Sequence, residues 1–522
     1  MYKVVIPSAG KGTRLKDLSQ HINKALVSVN QKPSISYVIE KFPENIEIVV
    51  PVGYKAQSIK DFLLTAYPNR KFTFIDIDLF EGSGSGLGYS LLKCKNELDC
   101  PFIFIPNDSI IEEEIPAPVC NWMGYSSTHD IGEYRSLNIS SGEVKDILPK
   151  GSSGDFLPYI GLASIFDHEL FWKYMEEGIN AGSIEVGESY GLKMLLTSSK
   201  IIAKEFTWHD TGNLIALSDA KDFLPQNELD AHVLEKPDEA IWFCENQVIK
   251  FHIDEKFISD RVARAKKLGD YVPKIISSSK NMYSYNIVKG EVLSRNPTPK
   301  RFKNFLSYME GFWLKKELDK TASIEFYNNC SSFYKDKTNE RISLFLKRFE
   351  VIDREVTIND ERIPMYQEVL NLIDWKSLSK GEPVRFHGDL HFENILCTDD
   401  KNKPFYLLDW RQNFSGDMDV GDLYYDLAKL NHGLIVSHEI INNNHFEINV
   451  TSDNINFEFH RKNLLIECQS VLKEWVEDNN HDWNKVKNLT SLIFLNISPL
   501  HEHPYSLVLY YLGLSSLWND LK

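Results

Sequence analysis

Cysteine is scarce in this sequence: there are 7 in 522 residues, scattered and never in a CxxC pair. This scarcity argues against a disulfide framework and a cysteine-based zinc site, and it fits a reducing compartment. Long apolar runs are absent too, since none approaches the roughly 18 residues of a membrane span. Residues 1–10 lead directly into a predicted strand, without the charged and apolar regions of a signal peptide. We therefore expect a soluble cytoplasmic protein with no membrane insertion.

An excess of positive charge is also missing. Lysine and arginine number 58 against 74 aspartates and glutamates, which gives a formal net charge of -16. This balance argues against nucleic acid or an anionic membrane as the general partner. A magnesium nucleotide remains compatible with it, because local groups determine such a site. The length of 522 residues exceeds what one hydrophobic core usually supports, so two or three domains are expected.

The first 110 residues alternate between apolar runs and amphipathic segments. The runs KVVIP, IEIVVPVG, FTFIDID and PFIFIPND are continuous in β-branched and aromatic residues, which is typical of strands buried on both faces. Between them, the segment KAQSIKDFLLTAY predicts an amphipathic helix. Its apolar face would consist of Ile59, Phe62, Leu63 and Ala66. This alternation predicts a Rossmann-like α/β domain with a mostly parallel sheet, and ligands at the carboxyl ends of its strands.

A polar stretch with two prolines, residues 224–239, indicates a domain boundary. We predict a first domain at 1–225, a linker at 226–238 and a second domain at 239–522. The second domain would begin with a β-hairpin, AIWFCENQVIKFHI, whose turn lies at Glu245–Asn246, and continue with a helix, DEKFISDRVARAKKLG. Helices then dominate from about residue 300, which predicts a bilobal α+β architecture.

The segment SAGKGTRL follows the first predicted strand. Small residues there would let backbone N–H groups approach a triphosphate, and Lys11 and Arg14 would add positive charge. Alone, such a loop is also compatible with a tight strand-to-helix connection. The predicted nucleotide contacts of the loop are Ser8, Ala9, Gly10, Gly12 and Thr13.

Three more residues favour a phosphate site. Lys24 supplies a cation shortly after the loop, where it could neutralise an incoming phosphate. Asp108 ends a predicted buried strand in PNDSI, and Asp210 precedes a turn glycine in WHDTGN. Either aspartate alone could be a cap or turn residue. Together they could hold a magnesium ion that bridges the phosphates of two reactants.

The ordered set G-x-G-T-R, Lys24, Asp108 and Asp-x-Gly resembles nucleotidyltransferases that make sugar nucleotides and CDP-alcohols. The resemblance covers about residues 1–225 and is closer to the compact choline-phosphate cytidylyltransferases. It implies in-line attack of a substrate phosphate on the α-phosphorus of an NTP, with CTP favoured and pyrophosphate leaving. It also implies that the segment 81–92, including Gly84, Ser85 and Gly86, wraps the nucleobase. Two residues depart from the family pattern, Asn23 in place of proline and Asn107 in place of glycine.

A second motif lies in VRFHGDLHFENILC, residues 384–397. His387, Asp389 and Asn394 have the spacing of the protein-kinase catalytic loop, and the strand-like PFYLLDW ends near Asp409. The alternative to a catalytic loop is that HGD is an ordinary turn and LLDW a buried strand with a capping aspartate. With glycine at the kinase arginine position, the motif resembles the aminoglycoside phosphotransferase and choline kinase superfamily, over about 236–522. This implies ATP as phosphate donor, Asp389 as acceptor of the hydroxyl proton, and Asn394 and Asp409 as magnesium ligands.

Some other segments of the second half could belong to the site or have a structural role. Lys250 could bind the α- and β-phosphates of ATP or be an exposed strand lysine, and no glutamate is assigned to pair with it. Residues 283–290 resemble the hinge that contacts adenine. The tail 498–513 could line an acceptor pocket or form a core helix. Capping or structural roles are predicted for Asp417, Asp419 and Asp422.

These patterns favour a bifunctional enzyme. It would phosphorylate a sugar, polyol or amino alcohol with ATP, then convert the phosphomonoester to an NDP-activated precursor for surface glycan or lipid decoration. One alternative keeps the transferase and makes the kinase-like half a non-catalytic, regulatory ATP-binding module. Another is a sugar-1-phosphate transferase that uses UTP or dTTP. A third is a scaffold whose two domains only bind nucleotides.

Overall fold

The computed structural model describes residues 2–127, 131–225, 238–437, 439–440 and 443–522. The chain divides into two compact units. The first comprises Met1–Glu255 and Ile276–Tyr285, and the second comprises Lys256–Ile275 and Asn286–Lys522. The predicted linker lies outside the described residues except for Asp238, and the predicted domain limits stay a prediction. No helix in the described ranges has the length and apolar character needed to span a membrane.

The first unit contains most of the strands. They are β1 Lys3–Val5, β2 Ser28–Val29, β3 Lys32–Pro33, β4 Glu47–Val52, β5 Phe72–Asp76, β6 Phe102–Phe104, β7 Ser109–Ile111, β8 Trp122–Tyr125, β9 Ser136–Ser140, β10 Glu143–Leu148, β11 Leu157–Ile165, β12 Ile202–Glu205, β13 Trp208–Asp210, β14 Glu239–Cys244, β15 Gln247–His252, β16 Ile275–Ser278 and β17 Met282–Asn286. Its helices are α1 Ser34–Ile39, α2 Ala56–Ala66, α3 Leu87–Lys93, α4 His168–Glu177, α5 Ser183–Val186, α6 Glu188–Leu195 and α7 Leu214–Phe223.

A nine-stranded sheet forms the centre of the first unit, in the order β5-β4-β1-β6-β11-β8-β12-β10-β9. Neighbours among the first four strands are parallel, and they correspond to the four apolar runs predicted as strands. The later half of the sheet is mixed, because β11 runs antiparallel to β6, β8 and β9. The four predicted apolar residues of α2 are fully buried. The predicted α/β class and the amphipathic helix are therefore confirmed.

A separate four-stranded sheet, β14-β15-β17-β16, follows in the chain. β14 and β15 form the predicted hairpin, and Glu245 in its turn has a positive φ of 52°. Within the first unit, the hairpin packs on α2 through Trp242, whose ring centroid lies 5.1 Å from that of Phe62 in an edge-on contact. The Trp242 indole also donates a hydrogen bond to Ser28 Oγ at 3.1 Å. The hairpin and the large sheet thus share one hydrophobic core.

The second unit is mainly helical. Its helices are α8 Glu255–Leu268, α9 Pro299–Glu310, α10 Lys320–Ser331, α11 Lys337–Arg348, α12 Tyr366–Asn371, α13 Trp375–Leu378, α14 Leu423–Ile435, α15 Asn463–Asp478, α16 Trp483–Ile497 and α17 Tyr505–Leu521. Its strands are β18 Glu291–Val292, β19 Val356–Ile358, β20 Glu361–Ile363, β21 Pro383–Val384, β22 Ile395–Cys397, β23 Phe405–Leu407, β24 Gly421–Asp422, β25 Phe446–Val450 and β26 Asn454–Phe459.

Two features of the second unit position its motifs. β22 and β23 pair antiparallel, with Ile395 opposite Leu407, so Asn394 and Asp409 lie at the same end of this hairpin. α14 is buried along almost its whole length and runs behind the 384–397 segment. The tail helix α17 is also largely buried, which confirms the core-helix interpretation for the residues that follow Pro504.

Candidate active site in each unit

The glycine-rich loop of the first unit requires glycine at one position. Gly12 has φ of 68°, and a Cβ atom there would lie 2.5 Å from Lys24 Cβ. The Gly12 carbonyl accepts from Leu15 N–H at 2.9 Å and from Ser19 Oγ at 3.1 Å, which begins the short helix Thr13–Ser19. Arg14, which is in this short helix, and the stem of Lys24 therefore both lie next to Gly12.

The two asparagines that depart from the family pattern both hold this loop. Asn23 is fully buried and donates to the carbonyls of Ser8 and Tyr54 at 3.1 and 2.7 Å. Asn107, also buried, donates to the Pro7 carbonyl at 2.8 Å and to Ser8 Oγ at 3.1 Å. The N–H of Ser8 itself donates to the Pro51 carbonyl at 2.9 Å. Ser8 therefore anchors the loop in this structure, and its predicted contact with the nucleotide stays a prediction.

Lys11 is not brought to the predicted metal residues. Its ammonium forms an ion pair with Glu81, and these two side chains are 40% and 61% exposed. Exposed pairs of this kind are worth about 0 to 1 kcal/mol. A phosphate group could therefore replace Glu81 at little cost, and the predicted role of Lys11 stays a prediction.

Asp108 and Asp210 are brought together by the pairing of β7 with β13, in which Asp210 lies opposite Ser109. The Asp108 side chain accepts from Lys24 Nζ at 2.8 Å. Asp210 accepts from the Tyr134 hydroxyl and from Gly212 N–H, both at 2.9 Å. A Cβ atom on Gly212 would lie 3.1 Å from an oxygen of each carboxylate. The two carboxylates therefore converge on one point beside the turn glycine.

The charges around these carboxylates are unequal. Burial raises the pKa of Asp108, but the charges of Lys24 and Arg14 outweigh it and the pKa is lowered. Burial and the charge of Asp108 raise the pKa of Asp210. Asp210 is thus the less neutralised of the two carboxylates, and two carboxylates this close together suit a divalent cation with oxygen ligands. The described residues contain no cluster of three or more histidine, cysteine, aspartate or glutamate side chains that could hold a metal ion.

The glycines of the predicted base-binding segment have a packing role. A Cβ atom on Gly86 would lie 2.1 Å from the Ile184 carbonyl oxygen, and one on Gly88 would lie 2.0 Å from that of Ser183. Glycine is therefore needed where α3 approaches the backbone of α5. Gly84 has φ of 82°, and Ser85 Oγ donates to the Gly82 carbonyl at 2.7 Å. The predicted contact of Gly84, Ser85 and Gly86 with a nucleobase stays a prediction.

Glu188 is a candidate that sequence reasoning missed. It is the first residue of α6, it is only 6% exposed, and its carboxyl group is fully enclosed by the first unit. Burial raises its pKa to about 7, although the charge of Arg135 opposes this. The hydroxyl of Tyr159, which is also buried, interacts with this carboxyl group. Buried carboxylates with raised pKa values concentrate at functional sites, but no local motif marks this one.

In the second unit, Asp426 of α14 holds the backbone of the 384–397 segment. Its carboxylate accepts from the N–H groups of His387 and Gly388 at 2.8 and 2.7 Å and from the Trp313 indole at 3.0 Å. Burial raises the pKa of Asp426 to about 6. Gly388 has φ of 87°, and a Cβ atom there would lie 2.7 Å from Arg411 Cβ. This close contact explains glycine at the position where protein kinases have arginine.

Asp389 is ion-paired with Lys429 of α14, with 2.8 Å between Lys429 Nζ and Asp389 Oδ1. Burial raises the pKa of Asp389, but the charges of Lys429 and His391 lower it well below its usual range. His387 is buried with its pKa lowered to about 3 by burial, and its Nε2 donates to the Leu408 carbonyl at 2.8 Å. Lys429 was missed because nothing in its helical sequence marks it.

Asn394 and Asp409 lie at the same end of the β22–β23 hairpin. Asn394 Nδ2 donates to the Asp389 carbonyl at 2.9 Å, which leaves its carbonyl oxygen as the atom suited to a hard cation. Asp409 has φ of 55°, an uncommon left-handed conformation for a residue other than glycine, and such strain often marks functional sites. Its carboxylate lies 3.3 Å from Arg261 Nη1 of α8. A neutral oxygen and a carboxylate fit magnesium.

The other predictions for the second half have mixed outcomes. Lys250 lies in β15 and is 8% exposed, which excludes the exposed-lysine interpretation but leaves its role a prediction. Glu255, which was not assigned as the partner of Lys250, lies 3.8 Å from Lys280. The predicted structural roles of three aspartates are confirmed. Asp417 accepts from the N–H groups of Asp419 and Val420, Asp419 pairs with Lys267, and Asp422 caps α14.

The model of the Phosphotransferase enzyme family matches residues 327–434, which include Asp389, Asn394 and Asp409. The N-terminal region matches nucleotidyltransferases. The chain thus joins a region similar to nucleotidyltransferases to a region that matches the Phosphotransferase enzyme family. The predicted resemblances of both halves are confirmed.

Three comparisons give the extent of the N-terminal similarity. "Bifunctional protein GlmU" of Methanococcus vannielii is 26% identical over 234 residues, 43% of this chain and 55% of that protein. Choline-phosphate cytidylyltransferase of Streptococcus pneumoniae is 43% identical over 67 residues, 12% of this chain and 29% of that protein. A solved CTP:phosphocholine cytidylyltransferase of the same organism is 20% identical, with a TM-score of 0.36, and the match covers 43% of this chain and 99% of that one. The chain spans about half or less of its curated relatives' length.

Proposed function

We propose that this protein phosphorylates a small hydroxyl compound with ATP and then transfers a nucleotidyl group to the phosphomonoester. The observation that carries the proposal is that each unit has its own array of charged side chains. In the first unit, Lys24, Asp108 and Asp210 converge beside a glycine-rich loop. In the second unit, Lys429 orders Asp389, whose carbonyl accepts from Asn394 at the hairpin end that also carries Asp409. Arrays that only bound nucleotides would not need the ordered Asp389.

In the second unit, the hydroxyl oxygen of the acceptor attacks the γ-phosphorus of ATP, and the bond to the bridging oxygen of ADP breaks. Asp389 accepts the hydroxyl proton. The ion pair with Lys429 keeps Asp389 ionised and fixes its orientation, while Asp426 holds the backbone on which Asp389 stands. Asn394 and Asp409 would hold magnesium, which supplies charge neutralisation on the phosphates.

In the first unit, an oxygen of the phosphomonoester attacks the α-phosphorus of a nucleoside triphosphate, and pyrophosphate leaves without a covalent intermediate. Lys24 and Arg14 would orient the phosphates, so positioning and charge neutralisation supply the catalysis. Asp108 and Asp210 would hold magnesium. CTP is the favoured nucleotide because the chain resembles compact cytidylyltransferases in this region.

The two reactions match because the product of the first is the substrate class of the second. Fusion in one chain would raise the local concentration of the phosphomonoester. The NDP-activated product would suit surface glycan or lipid decoration. The test is a screen of sugars, polyols and amino alcohols with full-length protein, in which ADP and pyrophosphate release are followed separately. We expect one compound to cause ADP release first and pyrophosphate release afterwards. ADP release that no compound stimulates would contradict the kinase assignment.

A further inference from the structure

Several cationic side chains gather around Asp389. Lys429 contacts it directly at 2.8 Å. Lys337 Nζ and the guanidinium of Arg411 both stand over the ring of Phe333, at 4.3 and 4.8 Å from its centroid. Two cations that share one aromatic ring repel each other, and the ring offsets only part of that repulsion. This surrounding of the predicted catalytic carboxylate is therefore strongly positive.

Arg341 adds a fourth cation, one helical turn after Lys337 on α11. Its Nε is buried without a hydrogen-bond partner among the described residues, and so is the hydroxyl of Thr338, a residue that is fully buried. Across the described ranges, neither Lys337 nor Arg341 forms an ion pair with a carboxylate. Like charges at positions i and i+4 of a helix destabilise it. The free protein thus keeps cations and buried donors that a bound anion would satisfy.

The charge of Lys337 is itself disfavoured in the free protein. Burial, together with the charges of Arg411, Lys429 and Arg341, lowers its pKa to about 7, and the charge of Asp389 offsets this only in part. A lysine that is held under such repulsion indicates a binding site for an anion, because a bound anion would raise the pKa of the lysine and keep it positively charged.

The backbone next to this cluster is irregular. Residues Ser332–Asp336, between α10 and α11, form a π-helical turn that ends at Lys337. Such turns are rare, and they frequently occur at functional sites. The turn carries Phe333, which lies under both Lys337 and Arg411. The π-turn is a second observation, independent of charge, that singles out this segment.

We propose that Lys337, Arg341 and Arg411 bind an anionic group of the compound that the second unit phosphorylates. The acceptor would thus carry a carboxylate or a phosphate in addition to its reactive hydroxyl group. This inference rests on the proposed phosphorylation reaction and narrows its substrate class. A quaternary ammonium or protonated amine would be repelled at this subsite, so the acceptor would be a hydroxy acid or a phosphorylated alcohol and not a simple amino alcohol.

Binding of an anion is tested first on the full-length protein without nucleotide. An amine-reactive reagent modifies Lys337 at pH 7, and mass spectrometry follows the rate in sodium sulfate and in sodium chloride at equal ionic strength. We expect sulfate to slow modification of Lys337 at least fivefold, and the exposed Lys335 to react equally in both salts. In Arg341→Ala the protection should be lost, whereas in Lys347→Ala, an exposed position of the same helix, it should persist. Equal rates for Lys337 in both salts would overturn the anion subsite.

The charge of the acceptor is tested with an extract of small cellular metabolites separated on an anion exchanger. Each pool is incubated with full-length protein, magnesium and ATP labelled in its γ-phosphate. We expect label transfer to compounds in the retained pool. Arg341→Ala should raise the half-saturating amount of acceptor by roughly 10- to 100-fold, the loss of a charge-assisted contact, and Arg341→Lys should recover part of the loss.

The other outcomes are distinguishable. Transfer only to the unretained pool, or an Arg341→Ala effect on KM for ATP with KM for acceptor unchanged, would overturn the inference and leave the kinase reaction intact. Transfer to neither pool would contradict the proposed phosphorylation, and with it the acceptor assignment, whatever the sulfate result.

Discussion

Replacing Glu188 with glutamine should stabilise the first unit at alkaline pH. The pKa of Glu188 is raised by burial from 4.5 to about 7, so the folded protein retains a proton that the unfolded chain releases between these values. The stability linked to this proton is fully present below pH 4.5 and is lost as the pH rises through 7. At pH 8, ionisation of the buried Glu188 carboxyl group therefore destabilises the folded protein by about 3 kcal/mol. The buried amide of glutamine costs part of that, so we expect a net gain of about 1 to 3 kcal/mol.

The measurement is hydrogen exchange of peptides that span β6, the buried central strand Phe102–Phe104. At pH 8, Glu188→Gln should raise the free energy of opening of this strand by about 1 to 3 kcal/mol. At pH 5 the difference should fall below about 1 kcal/mol, because the wild-type carboxyl group is then largely protonated. The matched control is Glu185→Gln, an exposed position three residues earlier, where no change is expected at either pH.

A gain that is equal at pH 5 and pH 8 would refute this reasoning, because the effect would then not arise from ionisation of Glu188. A loss of stability at pH 8 would show that the carboxylate has a partner that glutamine cannot replace. If nucleotidyl transfer falls while stability rises, Glu188 belongs to the functional site of the first unit, since strained polar groups are often retained for activity.

Four more substitutions separate the two activities, and a fifth tests the ion pair. Asp108→Asn and Asp210→Asn should each abolish pyrophosphate release and leave ADP release largely intact, because a magnesium ligand is worth several kcal/mol of charge stabilisation; near-normal pyrophosphate release would remove that residue from the metal site. Asp389→Asn and Asp409→Asn should eliminate phosphorylation and spare nucleotidyl transfer, and Asp409→Asn should also weaken the binding of Mg–ATP. If both variants still turn over ATP in the presence of an acceptor, the kinase assignment is refuted. Lys429→Met should lower kcat for phosphorylation at least tenfold. It should also raise the lower pKa of the pH–rate profile for phosphorylation, because the partner that lowers the pKa of Asp389 is lost. An unchanged pH–rate profile would contradict the role of Lys429 as the partner of Asp389.

The sequence predicted the elements that depend on local patterns. Continuous apolar runs gave the four parallel strands of the first sheet, and helical spacing gave the buried face of α2. The hairpin β14–β15 followed from a polar turn between apolar runs. The mixed half of the large sheet was not predicted, because strand direction there depends on pairings between distant segments and not on periodicity.

The sites were predictable only where a motif marks them. Asp389 and Asn394 stand in one short segment, so their spacing identifies them. Lys429, by contrast, lies on a helix 2.8 Å from Asp389 but far along the chain, and a buried lysine among apolar residues has no sequence signature. The segment 81–92 shows the converse, since its sequence predicted a ligand contact for Gly86 but not the packing of α3 on α5 that requires glycine there. Such contacts become visible only when the chain is folded.

The claim that one compound passes through both reactions is tested most directly by mass spectrometry of products. Full-length protein is incubated with magnesium, a hydroxyl acceptor identified by ADP release, and ATP, CTP or both. We expect a phosphomonoester with ATP alone, no product with CTP alone, and a CDP-linked acceptor only when both nucleotides are present. Asp108→Asn and Asp389→Asn should each fail to make the CDP-linked product, and a mixture of the two variants should restore it. A phosphomonoester that accumulates with both nucleotides present, and is not consumed with CTP or with UTP, dTTP, ATP or GTP in its place, would contradict the account.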